Sequence, residues 1–125
     1  MYSFVKMVYK SFINYMYPTV KKSIPSKTRT LVWQRYYGHR TEGTCYACGR
    51  YIDQMNWHCS HVISDKRGGT VTLDNLRPCC QHCNLSCGKQ NLYAYIRDKQ
   101  LVGVGKNNVA LYMKHNPSQR HSKRI

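Results

Sequence analysis

Acidic side chains are scarce in this 125-residue chain: five Asp and Glu stand against twenty Lys and Arg, a formal net charge of +15, and the first acid is Glu42. An imbalance of that size implies a polyanionic partner, and nucleic acid is the commonest one. Long apolar runs are missing too. No stretch reaches eighteen apolar residues, which excludes a membrane-spanning helix and a membrane partner of that kind. Residues 1 to 17 are rich in Tyr, Phe, Val and Met, but Lys6, Lys10 and Asn14 interrupt them and no small-residue cleavage site follows, so they do not read as a secretory signal. An acid-free basic start is also the composition of a mitochondrial transit peptide, and that alternative stays open. Without a secretory signal, and with an odd count of seven cysteines, a disulfide framework is not expected; the protein is expected inside a cell.

Cysteines are what the chain does have, in a pattern. Cys45 and Cys48 form one CxxC pair, Cys80 and Cys83 another, about thirty residues later. Each two-residue spacer forms a tight knuckle that aims two thiolates at one ion, and four thiolates close the tetrahedral shell of a structural Zn²⁺. The competing reading is four buried thiols that pack as small hydrophobes. A chain of this length has room for one small core, which a metal staple would support. Cys59, Cys79 and Cys87 lie outside the proposed set; Cys79 and Cys87 read as buried hydrophobes, and only Cys80 gives the two-residue spacer to Cys83.

Between and after the knuckles stand His61-Val62-Ile63, the Gly68-Gly69 turn, Leu73-Asp74-Asn75-Leu76-Arg77-Pro78, and Asn84 directly after Cys83. Over roughly residues 31 to 96 this constellation resembles the HNH endonuclease family in its four-cysteine form. It is similar in particular to virus- and phage-encoded members that write the first motif as Gly-His-Val, here Ser60-His61-Val62, and that end in Cys-Asn-x-Ser-x-Gly, here Cys83 to Gly88. The resemblance implies a small α+β protein built on a ββα-metal (HNH) module stapled by a four-cysteine zinc site. It also implies the cytoplasm or nucleus of a host cell, or a virion, as the place of action.

By the same resemblance His61 is the general base of phosphodiester hydrolysis, Asn75 ties down the connecting loop and orients that base, and Asn84 is a ligand of a catalytic Mg²⁺ or Mn²⁺. The chemistry agrees: an imidazole with an ordinary pKa near 6.5 is largely neutral at pH 7, as a base must be, and an amide carbonyl is a hard oxygen donor. Each residue also has a structural reading. The alternative to the role at the motif position is a satisfied strand histidine for His61, a turn former for Asn75 and a helix cap for Asn84. Ser60 departs from the family, most members of which carry a metal-binding Asp there; the Gly-His-Val branch shares the departure. Candidates to complete the metal shell are His58, which alternates onto the strand face of Ser60, and Asp65 or Asn91.

The first strand is expected over Gln54 to Ile63 and its partner over Thr70 to Leu73, with a helix beginning near Asn84. Three regions follow: an N-terminal amphipathic segment, 1–23, with a short helix over 2 to 16; the HNH-like domain, 24–98; and a basic flexible tail, 99–125. A helix from Ser26 or Lys27 to Tyr37 should open the domain, stopped by Gly38, and one over Asn91 to Ile96 should close it. Gly103, Gly105, Asn107 and Asn108 mark a flexible loop within 97 to 110, and the end of the chain reads as disordered until it meets a polyanion. Two functions fit: a metal-dependent DNA endonuclease or nickase that contacts mainly the phosphate backbone, or a non-catalytic zinc-stabilised DNA-binding or DNA-packaging protein on the same frame.

Overall fold

A computed structural model describes residues 23–120. The N-terminal segment, with its expected helix over 2 to 16, and the last five residues lie outside the described residues, apart from Ser23. Helix α1, Ser26–Tyr37, begins directly after Pro25 and stops at Gly38, whose positive φ of 61° glycine adopts without a Cβ penalty. It buries Val32 and Trp33. The Trp33 indole donates to the Arg40 carbonyl at 2.7 Å and its ring lies 5.2 Å from that of Trp57, fixing the helix across the domain.

Two antiparallel hairpin-like pairs follow. Strands β1 (Glu42–Thr44) and β2 (Tyr51–Asp53) pair with Gly43 opposite Ile52 and carry the first knuckle between them. Strands β3 (His58–His61) and β4 (Leu76–Cys79) pair with His58 opposite Cys79 and His61 opposite Leu76. Helix α2, Gln81–Cys87, carries Cys83 and Asn84. The result is a small α+β fold with two two-stranded sheets, and four α-helices among the described residues.

The expected partner strand was misplaced. Thr70 to Leu73 does not pair with β3; Leu76–Cys79 does, and β3 is four residues long rather than ten. The cause is Asn75. Its amide accepts from the Ile63 N–H at 2.8 Å and donates to the carbonyls of Ile63 and Thr70 at 2.9 Å each, so a side chain satisfies backbone groups that a longer ladder would have paired. The turn before it is equally constrained: Gly68 has φ 90°, and a Cβ on Gly69 would lie 1.7 Å from the Ile63 carbonyl oxygen.

The segment expected to be loop and tail carries helical turns from Val104 to Gln119, interrupted at Asn116. Helix α3, Leu92–Asp98, is capped by Asn91 and packs against α4, Val109–His115, which a 3₁₀ turn over Val104–Asn108 precedes. Tyr93 and Tyr112 stack at 4.4 Å and Met113 is buried. Gly103 and Gly105, read as flexible, are close-approach positions instead. Their N–H groups donate to the carbonyls of Ala47 and Tyr46, and a Cβ on Gly103 would lie 2.4 Å from the Tyr46 oxygen.

Candidate functional site

The Tyr46 N–H donates to the Pro78 carbonyl at 2.8 Å, which draws the first knuckle against β4 and so against the second. The sulfurs of Cys45, Cys48, Cys80 and Cys83 then all lie within 4.8 Å of one another, with Cys48 and Cys80 at 3.9 Å. Tetrahedral Zn–S bonds of about 2.3 Å put sulfurs roughly 3.8 Å apart, so a modest contraction suffices. Backbone support is present: the N–H groups of Cys48 and Cys83 point at the sulfurs of Cys45 and Cys80, at 3.5 and 3.4 Å, and Cys80 caps α2 in doing so. Four soft donors fit zinc and leave no position for a substrate. Hydrogen bonds from the thiols of Cys79 and Cys83 hold Cys45 well below the ordinary cysteine range. Cys79 itself is fully buried, its thiol pushed well above that range by its bond to Cys45 and then by burial.

Across α2 from this cluster, a cavity of about 200 Å³ opens between the end of β3, the 3₁₀ turn Asp65–Arg67 and α2. That volume admits a phosphate group with a few waters, each needing about 30 Å³. Ser60, His61, Ser64, Asp65, Lys66 and Asn84 are among its walls. His61 ends β3 and is 8% exposed. Asn84 lies inside α2, whose cap is Cys80, so its side chain is available for other contacts. The Ser60 hydroxyl donates to Asn84 Oδ1 at 2.8 Å, and Asn84 Nδ2 lies 3.0 Å from His58 Nδ1. An amide nitrogen can only donate, so the ring accepts at Nδ1 and a neutral His58 carries its proton on Nε2.

Residues 45–99 match the family model described as HNH endonuclease. No curated protein and no solved structure matches the chain. The HNH match begins at the first knuckle cysteine and ends just past α3, so it takes in all four clustered cysteines, both strands of the β3–β4 pair, Asn75 and Asn84, and leaves α1 and α4 outside.

Within the HNH stretch the sequence-derived site residues separate. His61 and Asn84 line one cavity, Asp65 joins them, and His58 reaches the far side of the Asn84 amide. Asn75 stands behind the cavity, holding the backbone two residues beyond His61. Asn91 is elsewhere: it is 1% exposed, caps α3 by accepting from the N–H groups of Tyr93 and Ala94, and donates to Tyr112 and Gln119, so it is no candidate metal ligand. Ser64, Lys66 and Lys89 were not singled out from the sequence. Their signal was there, since Lys66 follows the His61 motif by five residues and Lys89 follows the Gly88 that closes the second motif. The Ser64 hydroxyl is buried in the cavity wall with no hydrogen-bond partner among the described residues.

Proposed function

We propose that the protein is a metal-dependent endonuclease or nickase of the HNH type, of the virus- and phage-encoded Gly-His-Val form, that hydrolyses phosphodiester bonds in DNA. The observation that carries this reading is the shared cavity of His61, Asn84 and Asp65 within the stretch that matches the HNH model. His61 removes the proton from the attacking water, and its burial at the end of β3 keeps the imidazole beside the reacting phosphate and out of bulk solvent. Lys66 and Lys89 neutralise the phosphate oxygens as the group is drawn in. Asn75 holds the loop so that the base keeps its aim. The donor set of Asn84 Oδ1 and the Asp65 carboxylate is hard enough for Mg²⁺ or Mn²⁺, whose charge would stabilise the leaving oxygen. His58, whose Nδ1 takes the Asn84 N–H and which lines the opposite side of that amide, offers the ion no lone pair in this arrangement.

Supercoiled plasmid incubated with purified protein and Mg²⁺ or Mn²⁺ should be nicked or linearised, and His61→Ala should stop the reaction. A wild-type protein that cuts with neither metal would remove the enzyme reading.

One observation favours a second reading. Ser60 stands where a carboxylate is usual and its hydroxyl already occupies one lone pair of Asn84 Oδ1. A DNA-binding or DNA-packaging protein that keeps the frame without the chemistry would tolerate that arrangement. Ser60→Asp separates the two: it should lower the metal concentration needed by an active enzyme and awaken nothing in a pure binding protein.

A further inference from the structure

A second cavity meets the first at Asn84. It is lined by Ile24, Arg29, Trp57, His58 and Cys59 as well as Asn84, so the chain of hydrogen bonds from Ser60 through Asn84 to His58 forms a floor shared by both. Ser60 belongs to one side and His58 to the other. The second cavity contains no acidic residue. Its one full charge is Arg29, on α1, whose guanidinium lies 4.5 Å from the centre of the Trp57 ring. No carboxylate or carbonyl among the described residues accepts from it.

That is an unusual condition for a half-buried arginine. A guanidinium offers five donors in a planar fork and ordinarily meets a carboxylate. Here the aromatic face braces the group through a cation–π contact while Arg29 lines the cavity. A fork of donors with no acceptor among the described residues, beside a polar floor, is a group able to take a phosphate in two parallel hydrogen bonds. Trp57 packs in turn on Trp33 of α1, so the arginine and its brace are both anchored to that helix.

We propose that the two cavities form one track for a nucleic-acid strand, and that Arg29, braced on Trp57, grips a phosphate flanking the one held at His61. The proposal rests on the reading of the His61 cavity as a phosphodiester site. Arg29 is then a positioning residue: it sets the strand's register across Asn84 and touches no reacting atom. It lies outside residues 45–99, so α1 supplies part of the site that the matched stretch lacks.

The test measures binding alone, with no divalent metal added, so that it answers whether or not the protein cuts. A fluorescein-labelled DNA duplex is titrated with the full chain by anisotropy at several salt concentrations, for wild type, Arg29→Met, Arg29→Lys and Lys99→Ala. Methionine still covers Trp57 but carries no charge; Lys99 is an exposed cation that lines neither cavity. Arg29→Met is expected to weaken binding roughly tenfold or more at constant zinc content and to reduce the slope of log K against log[salt] by about 0.9, one phosphate contact. Arg29→Lys should keep the slope and lose part of the affinity, and Lys99→Ala should change both much less.

If Arg29→Met binds like wild type, or no more weakly than Lys99→Ala, the arginine merely covers a tryptophan and the proposal is overturned. If the Met variant loses zinc, the comparison of Arg29→Lys with wild type decides: equal affinity overturns the bidentate grip. A wild-type protein that never cuts but loses one phosphate contact in Arg29→Met would remove the nuclease reading and leave this one standing.

Discussion

Asn75 shows how much a single amide can determine. Its three hydrogen bonds all end on the backbone of Ile63 and Thr70, and the residue is 9% exposed, so truncation would strand buried donors and acceptors with nothing to replace them. Asn75→Ala should therefore lower stability by at least about 2 kcal/mol, read by urea unfolding of the zinc-loaded protein. Asn75→Asp is the sharper test. A carboxylate can still accept from Ile63 N–H but cannot donate to the two carbonyls, so a near-neutral result would mean that the loop is held by something else. At His61 the expectation reverses: His61→Ala should cut metal-dependent strand cleavage by about 10²-fold or more while zinc content and DNA affinity stay nearly constant. A matching loss of zinc would make the residue structural.

Among the elements, α1 and α3 were legible because local chemistry marks their ends: Pro25 and Gly38 bound the first, and Asn91 opens the second. The knuckles were legible from spacing, and His61 and Asn84 from the motif around them. The β3–β4 pairing was not, because Pro78 argues locally against a strand, and because the residue that ends the ladder acts through its side chain. Helix α4 was hidden for a related reason. A glycine that grants freedom and one that permits contact look alike in sequence, and only the Tyr46 and Ala47 carbonyls distinguish them. Lys66 and Lys89 reach the site from separate elements, and no local pattern joins them. Gly103→Ala should test the contact. The added methyl collides with backbone on both knuckle residues, so hydrogen exchange over residues 104–119 should accelerate sharply while α1 stays protected. Unchanged protection would mean that α4 holds by its own packing on α3.

For the molecule as a whole, the metal and the charge are the two quantities to measure. Purified protein should carry about one zinc per chain, and Cys83→Ser, or a strong chelator, should abolish its cooperative unfolding transition, because the shell closes the contact between the two knuckles. A folded, zinc-free protein would refute this. With a net charge of +15, DNA affinity should fall steeply as salt rises and depend little on base sequence. Salt-independent binding would place recognition in base contacts instead.

The backbone of the first knuckle is held from two directions: Pro78 receives the Tyr46 N–H, while Gly103 and Gly105 clasp the carbonyls of Ala47 and Tyr46. On the ribosome these partners arrive in sequence. At about 5–20 residues per second, Cys80 emerges roughly 2–6 s after Cys48, and Gly105 another second or more later. For that interval the newborn chain carries two bare thiols on a knuckle with neither grip in place. A zinc ion captured during synthesis would thus meet half a site first, and the grip of Gly103 and Gly105 on the first knuckle's backbone would come last.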